Sequence, residues 1–419
     1  MSETQFDDPR AVTTRRNLLG IGGATALATL AGVALRTQPL EAASVQPYIN
    51  VTDAPFNALG NHDPFGTPGF DNTSAIQNAL NALPLTGGAL YFPPGNYRCT
   101  GQLSASGKSV AILGSGRKIS QITWDTGTGG FSFSFTTNRQ ALTVRSISLL
   151  TRAAGGGNAL YASWPSSPAT MSSADVTDIY IAGENAASHY WTRGIQLNNA
   201  TTARIDHWAI HGKDADPSHL MIAAIDLVGL CTPVYISNGD AYSMAYGIRA
   251  VGSSEGVHIS HCEIVEVTNG IWLEAVGMGR PGTAVSDCHV NAGSIGIMLS
   301  NHGDASLTGN LIYRLTAGSF VGIYNENSPF TRMQGNKIDD TVTPASPDYQ
   351  TNGIIISNSR GCVVANNVVK HCWTPVWLAS GSNHTVLGNR MPQPPTWTSW
   401  LLVYNNGCTG VIDAYNQSA

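Results

Sequence analysis

A repeat constrains this chain more than any other feature of its sequence. From residue 190 onward, a small residue followed by alternating apolar positions recurs every 22 to 31 residues. One unit of this size cannot bury its own apolar side, whereas stacked units form a continuous core. The period therefore predicts the coils of a parallel β-helix. The repeat starts at Gly194-Ile195, Ala224-Ile225, Gly247-Ile248, Gly270-Ile271, Gly296-Ile297, Gly322-Ile323, Gly353-Ile354, Pro375-Val376 and Trp400-Leu401.

Two other repeat architectures fit the sequence less well. Leucine-rich repeats have similar periods, but their regular leucine/asparagine signature is missing here. A β-propeller needs about 40 residues for each blade, which is longer than this repeat. The chain is therefore expected to be all-β and built as a solenoid.

A second short strand in each repeat aligns a column of inward-facing residues. Inward asparagines on successive coils can bond to each other and to the backbone, which ties one coil to the next. Two cysteines of this column would stack in the core, and since coils lie about 4.8 Å apart a disulfide between them is sterically possible. We expect free thiols. The column reads Cys262, Cys288, Asn310, Asn336, Asn367 and Asn389.

The N-terminal segment, residues 44–100, is expected to form a cap and the first coil. Residues 71–80 predict an amphipathic helix, with a capping box formed by Ser74 and Gln77. Pro84 and the Gly87-Gly88 pair end this helix, and the strand 89–92 follows it. A helix over the first coil covers the apolar core and blocks end-to-end pairing of sheets.

This N-terminal segment resembles that of the pectate-lyase-like superfamily, which includes relatives of family 28 glycosidases and many phage tailspikes. The resemblance implies a single-stranded right-handed parallel β-helix over residues 44–419. It implies no chemistry, because the matching residues belong to the cap and the core. They are Phe56-Asn57-Ala58-Leu59-Gly60, Asp71-Asn72-Thr73, Ala75-Ile76-Gln77, Gly87-Gly88, Tyr91-Phe92-Pro93-Pro94-Gly95, Tyr97, Leu103, Gly114, Gly116 and Ile122.

The catalytic signatures of family 28 glycosidases are missing from this chain. Those enzymes carry Asn-Thr-Asp, Asp-Asp and Gly-His-Gly just before the Gly-Ile strands. Here the equivalent positions hold Trp191-Thr192-Arg193, Ala245-Tyr246 and Thr268-Asn269. Polygalacturonase-type hydrolysis is therefore not predicted, and no catalytic residue is carried over from that family.

Strand alternation gives the site prediction instead. In the Gly-Ile strands, the second and fourth residues after glycine are expected to face solvent. The second position reads Gln196, Asp226, Arg249, Trp272, Met298, Tyr324, Ile355 and Trp377, and the fourth reads Asn198, Val228, Val251, Glu274, Ser300, Glu326, Ser357 and Ala379. We take Asp226, Arg249, Glu274 and Glu326 as catalytic candidates. The substrate-binding candidates are Trp272, Tyr324, Tyr246, Lys213 and Arg280.

These residue types suit a long carbohydrate. Aromatic faces stack on sugar rings, carboxylates act as acid and base, and arginine binds uronate or stabilises developing negative charge. Glu274 and Glu326 lie two coils apart, so their backbones are expected about 9.6 Å apart. The alternative is that these charges have no functional role and are only solvated, with Asp226 and Arg249 forming a surface ion pair.

A rival face is predicted on the second strand of each repeat. Asp240, Glu263, His289 and Lys337 share one of its outward columns. His258, His261 and Asp287 lie nearby, and together with His289 they allow a metal site. The structural alternative is that histidines in turns serve the fold or are solvated.

Residues 1–43 resemble a twin-arginine export signal. Arg15-Arg16 precedes a Gly/Ala-rich apolar stretch from Leu18 to Leu35, and Ala42-Ala43 is the best cleavage position. Such a signal is read by a receptor that exports folded proteins. A membrane anchor is the alternative for this stretch, although its glycines and alanines make it a poor one. We expect a periplasmic or secreted protein with no membrane contact after the signal is removed.

Composition excludes some partners. Only 12% of the residues are charged, against about 25% on average, and the formal net charge is −5. Nucleic-acid binding needs clustered lysine and arginine, so it is not predicted. The expected function is an exported enzyme that cleaves a polysaccharide by β-elimination or hydrolysis. A carbohydrate-binding surface protein and a uronan epimerase are the alternatives. No cofactor is predicted except calcium for a lyase, while metal need and oligomeric state stay open.

Overall fold

A computed structural model of the protein describes residues 48–63, 69–166, 172–214, 218–277, 281–316, 318–340, 351–392 and 402–418. The predicted export signal, Arg280 and the Trp400-Leu401 repeat start lie outside the described residues. Within these ranges, no helix is both long and apolar enough to cross a membrane.

The described residues form one helix and 31 strands. The helix α1 is Thr73–Ala82. Strands β1 to β31 are, in chain order, Tyr48–Asn50, Gly88–Phe92, Gly95–Cys99, Leu103–Ser106, Val110–Gly114, Ser120–Trp124, Phe131–Ser134, Ala141–Thr151, Asn158–Ser163, Ser173–Gly183, Arg193–Asn198, Ala203–His211, Ala223–Val228, Val234–Gly252, Val257–Ala275, Ala284–Ser286, His289–Ser300, Ser306–Thr308, Leu311–Arg314, Phe320–Glu326, Arg332–Gln334, Lys337–Asp339, Thr351–Ser357, Ser359–Arg360, Val363–Ala365, Val368–Lys370, Thr374–Leu378, Gly381–Ser382, Thr385–Leu387, Val403–Asn405 and Ile412–Ala414.

Each strand of the coils pairs in parallel with the equivalent strand of the next coil. In β9, β11 and β13, for example, Leu160 aligns with Ile195, which aligns with Ile225. Because the register is kept from coil to coil, inward side chains stack on inward side chains and form one continuous core. This confirms the parallel β-helix that the repeat predicts.

The coils have three strand segments rather than two. The predicted second strand bends at one residue in the left-handed conformation, and this corner separates two faces. At successive coils the corner residue is His207, Asn238, His261 and Asp287, with φ between 51° and 53°. We name the face before the corner face B and the face after it face C. Face A is formed by strands β9, β11, β13, β20, β23, β27 and β30 and the C-terminal halves of β14, β15 and β17.

The predicted asparagine column forms a ladder directly after this corner. Asn310 Nδ2 donates to Asn336 Oδ1 at 2.9 Å, and Asn336 Nδ2 donates to Asn367 Oδ1 at 3.0 Å. Asn367 continues to Asn389, and the ladder has a further rung at Asn416. Each amide is thus satisfied by the neighbouring coils, as a buried polar group requires.

The seven cysteines are buried and hold free thiols. Cys288 belongs to the ladder column, since its backbone N–H donates to Asn310 Oδ1 at 3.1 Å. Cys262 lies one coil earlier, and its hydrogen bond with Cys288, together with burial, raises its pKa. The two cysteines therefore stack in the core as the alignment predicts.

Helix α1 covers the first coil. Ile76, Ala79 and Leu80 are buried against the core, which confirms the predicted amphipathic cap. The predicted capping box is wrong. The Gln77 side chain does not turn back to the helix start but bonds to the backbone N–H and C=O of Ser104 in β4. It therefore fixes the helix to the coil beneath it.

Candidate functional site

The strand pairing aligns the two predicted columns of face A, but Met298, Ser300 and Ile355 are buried and do not face solvent as expected. Gln196 aligns with Asp226, Asp226 with Arg249, and Arg249 with Trp272. The column continues through Met298, Tyr324, Ile355, Trp377 and Tyr404. The second column aligns Glu274, Ser300 and Glu326 in the same register. One strip along the solenoid thus carries the predicted residues of both columns.

Asp226 is the residue whose surroundings differ most from expectation. Its position in the strand is outward, but the side chain is fully buried under two arginines. Arg249 Nε and Nη2 donate to its two oxygens at 2.9 and 3.2 Å, and Arg193 Nε donates at 2.9 Å. We correct the prediction of a solvent-facing carboxylate accordingly. Both oxygens are engaged, so Asp226 holds the arginines in place and is not poised to transfer a proton. We call Arg193, Asp226 and Arg249 the arginine clamp.

Four of the predicted residues form a contiguous cluster that begins at Arg249 of the clamp. The Arg249 guanidinium lies 5.5 Å from the centre of the Tyr246 ring, a cation–π contact. Tyr246 packs edge-on against Trp272, with ring centres 5.7 Å apart. Trp272 Nε1 donates to Glu274 Oε2 at 3.0 Å. The structure thus brings together a cation, two aromatic rings and an exposed carboxylate.

Tyr324 and Glu326 lie two strands further along face A, on β20. Met298 and Ser300 of β17 separate them from Trp272 and Glu274. Burial, and to a smaller degree the Glu326 carboxylate, raises the pKa of Tyr324. This second pair of an aromatic ring and a carboxylate therefore repeats the first at a spacing of about 9.6 Å between backbones.

Lys213 lies at the edge of this strip. The Ser243 hydroxyl donates to its backbone carbonyl, and Ser243 stands at the corner that leads from face C into face A. The neighbouring Asp214 carboxylate contributes to the raised pKa values of Tyr180 and Tyr242, which belong to face C. The structure therefore places Lys213 and Asp214 at the corner between faces C and A.

A cleft on the N-terminal side of the clamp was not predicted from the sequence. Its volume is about 510 Å³, and its lining includes Arg193, Tyr161 and Asn158. Side chains around it form a chain of hydrogen bonds, in which Asn158 donates to Gln196, Gln196 to Asn198 and Asn198 to the Tyr161 hydroxyl. The sequence signal for this cleft was the strand 158–163, which extends the outward column by one coil toward the N-terminus. It was missed because this strand does not begin with Gly-Ile.

The rival face is present as predicted on face C. Asp240, Glu263 and His289 align in one column, and Lys337 follows after one intervening residue. Its closest polar contact joins His211 Nε2 to an Asp240 oxygen at 2.7 Å. Both side chains are about one-third to one-half exposed, so this pair resembles other surface ion pairs of weak energy.

The histidines predicted as metal ligands do not converge. His258 stacks on Tyr235 on face B, with ring centres 5.0 Å apart. His261 and Asp287 occupy the left-handed corner, whereas His289 lies on face C. In the described part of the chain, no group of three or more histidine, cysteine or acidic side chains is placed to hold a metal ion.

Comparison with known proteins bears on the fold. A sequence model of the right-handed β-helix region matches residues 269–393. A search of curated proteins found no match. The A-module of the Azotobacter vinelandii mannuronan C-5 epimerase AlgE6 superposes with a TM-score of 0.59 at 16% identity, over 87% of this chain and 99% of that one. The fold is a right-handed parallel β-helix.

Two further solved structures are similar to this chain to different degrees. The N-terminal fragment of bacteriophage Phi29 gene product 12 has a TM-score of 0.57 at 11% identity, over 88% of this chain and 71% of that one. The catalytic unit of a GH87 α-1,3-glucanase from Streptomyces thermodiastaticus overlaps more loosely, with a TM-score of 0.47 at 14% identity, over 89% and 69%. At these identities the likeness concerns the fold alone.

Proposed function

We propose that this protein binds an extended polysaccharide along face A and cleaves it there. The observation that carries the proposal is the continuous outward strip in which the arginine clamp, the Tyr246–Trp272 pair and two glutamates follow one another. The aromatic rings offer faces for sugar rings, and the carboxylates offer proton transfer. Charges that are merely solvated are not expected to lie together with aromatic rings in one strip.

The length of the strip favours a polymer over a small molecule. The column runs over ten strands, from Tyr161 on β9 to Tyr404 on β30. At about 4.8 Å for each step, it extends roughly 43 Å. Trp272, Tyr324, Trp377 and Tyr404 are partly exposed along it, so a long chain can contact aromatic rings on successive coils.

Hydrolysis is the reaction that the two glutamates support. In inverting glycosidases, two carboxyl groups stand about 6.5–9.5 Å apart, with one acting as acid and the other activating water. Glu274 and Glu326 have backbones about 9.6 Å apart, and their side chains can close that distance to this range. Asp226 takes no part in this pair, because the arginine clamp occupies both of its oxygens.

Elimination is the second candidate, and the position of Arg249 favours it. A lyase needs a cation that neutralises the uronate carboxylate and a base that removes the adjacent proton. Arg249 lies against Tyr246, which places a cation and a phenol side by side. Arg249 supplies the cation, and Tyr246 is the candidate base in this case. Calcium is the one ion we would expect such an enzyme to use.

A product assay with matched variants tests the proposal. The full chain is incubated with polyuronates and neutral glucans, and unsaturated ends, reducing ends and polymer composition are recorded. Saturated new ends indicate hydrolysis and unsaturated ends elimination. We expect Glu274→Gln and Glu326→Gln each to lower turnover by at least 100-fold, as loss of an acid or base does. Glu263→Gln, on exposed face C, is the matched control and should leave turnover unchanged.

Three outcomes would contradict the proposal in different ways. Changed composition at constant chain length would make the protein an epimerase. Binding without any reaction would make it a carbohydrate-binding protein. Full activity of both glutamine variants would move the active site off this strip.

We also propose that the protein is exported in folded form to the periplasm or the medium. The support is the Arg15-Arg16 pattern and the apolar stretch that follows it. An extracellular polysaccharide can be reached only by an enzyme that has left the cytoplasm.

A further inference from the structure

The arginine clamp carries more positive charge than its own partner balances. Two guanidinium groups face the single carboxylate of Asp226, which leaves a net charge of +1. Asp226 is fully buried, whereas each arginine side chain is about one-quarter exposed. A buried carboxylate that holds two partly exposed arginines orients them toward the surface and leaves one charge without a counter-ion.

The hydrogen-bonding capacity of the arginines is also only partly used. Arg249 donates to Asp226 from Nε and Nη2, and Arg193 donates from Nε. The remaining Nη donors of the two side chains make no hydrogen bond to another described residue, although the Arg249 guanidinium also lies over the Tyr246 ring. A guanidinium offers its donors as a rigid planar fork that matches a carboxylate. The free donors of the clamp are therefore suited to a planar anion from a ligand.

The cleft beside Arg193 provides room for the group that would carry this anion. Its described lining holds no acidic side chain, so nothing there repels a negative ligand. Gly127, Gly129 and Gly157 add no side chains to the lining, while Tyr161 and Asn158 supply a ring and an amide. Hydroxyl and amide donors placed around an apolar ring are typical of a site for a polar cyclic ligand.

We propose that the arginine clamp binds the carboxylate of a uronate residue whose ring lies in this cleft. The inference rests on the proposed function and deepens it, because it names a polyuronate as the substrate class. Arg193, which lines the cleft, is the binding residue, and Arg249 adds the second positive charge through the shared Asp226. Asp226 is a positioning residue that acts through them and does not touch the sugar.

Binding to chemically matched polymers tests this inference. The full chain is titrated with polymannuronate, polygalacturonate and the same two polymers with their carboxyl groups reduced to alcohols, and with a sulfated glucan. We expect at least one polyuronate to bind more than tenfold tighter than its reduced form. Added salt should weaken this preference, because it screens a charge contact.

Variants of the clamp locate the effect. Arg193→Gln should weaken polyuronate binding by about 10- to 100-fold, the usual range for a lost charged hydrogen bond, and leave binding of the reduced polymer unchanged. Arg193→Lys keeps the charge but loses the planar fork of donors. Its affinity for the polyuronate should therefore lie between those of the unaltered protein and Arg193→Gln. The matched control is Arg145→Gln, since Arg145 forms a half-exposed ion pair with Asp175 on face B. It should bind like the unaltered protein.

Asp226→Asn separates a positioning role from a purely structural one. It replaces one acceptor oxygen by an amide N–H donor, which cannot bond to a guanidinium, and it removes the charge that orients both arginines. We expect polyuronate affinity to fall while cooperative thermal unfolding persists. Loss of folding without a change in affinity of the folded fraction would overturn the positioning role.

Each result separates this inference from the function on which it rests. If the protein cleaves polysaccharides but binds the polyuronate and its reduced form equally, the clamp is not a carboxylate site. A preference for the sulfated glucan over both polyuronates would overturn the carboxylate assignment as well. If no polysaccharide is bound or altered, the proposed function itself fails.

Discussion

Asn336 offers the sharpest test of what holds the coils together. The side chain is 1% exposed and makes four hydrogen bonds. It donates to Leu307 O at 2.9 Å and to Asn367 Oδ1 at 3.0 Å, and its own oxygen accepts from the backbone and side-chain nitrogens of Asn310. Asn336→Ala removes all four bonds and leaves their partners buried.

The expected loss follows from that count. At about 1 kcal/mol net for each hydrogen bond, the free energy of unfolding should fall by about 4 kcal/mol. The matched control is Asn416→Ala at the open end of the ladder. Asn416 is partly exposed, so water replaces its contacts, and its loss should cost about 1 kcal/mol or less.

Chemical unfolding followed by circular dichroism measures both variants. The midpoint in guanidinium chloride should shift clearly for Asn336→Ala and little for Asn416→Ala. Because each coil contacts only its neighbours, the loss should also separate the unfolding of the coils on either side of residue 336. Equal shifts for the two variants would refute the argument that burial gives the ladder its energy.

Two other predictions concern pH and export. Burial raises the pKa of Asp340 to about 6 even though Arg314 pairs with it, so the folded state binds this proton more tightly than the unfolded chain. The free energy of unfolding should therefore fall as pH rises from about 4 to 6. In Asp340→Asn, the midpoint of thermal unfolding should depend less on pH over that window. An unaltered pH dependence would exclude Asp340 as the cause. Replacing Arg15 and Arg16 by lysine should retain the protein in the cytoplasm of a host with twin-arginine export, as fractionation can show. Unchanged export of the double variant would refute the signal.

The solenoid could be predicted from the sequence because the relevant physics is local and repeated. Alternation decides which side chains face inward, and stacking in register repeats that decision at every coil. The columns through Asp226, Arg249 and Trp272 therefore follow from the residue pattern alone. The corner between faces B and C was missed because residues as different as His207, Asn238 and Asp287 occupy it. Each coil has the left-handed conformation at the same position, but no single residue type marks that position in the sequence.

The candidate site was predicted only in part, because long side chains contact residues outside their own column. A column shows which residues are neighbours in register, but an arginine side chain extends beyond its own column. Arg193 is out of register with Asp226 and still bonds to it. That contact buries Asp226 and changes its expected role from acid or base to support. The failed capping box at Gln77 has the same origin, since a long side chain found a partner in another element.

The ladder also makes some coils interchangeable and others not. Each asparagine gives the next coil the same bonds that it receives from the previous one, so a whole coil can be lost or duplicated between Asn310 and Asn416 and the rungs remade. The coils before Asn310 have no such rungs, because Gly239, Cys262 and Cys288 occupy the same column. At Gly239, a Cβ atom would overlap the Trp208 ring, so the contact between these two coils requires glycine. The arginine clamp stands on these N-terminal coils. Face A can therefore change in length at its ladder end without a change in the coils that hold the clamp.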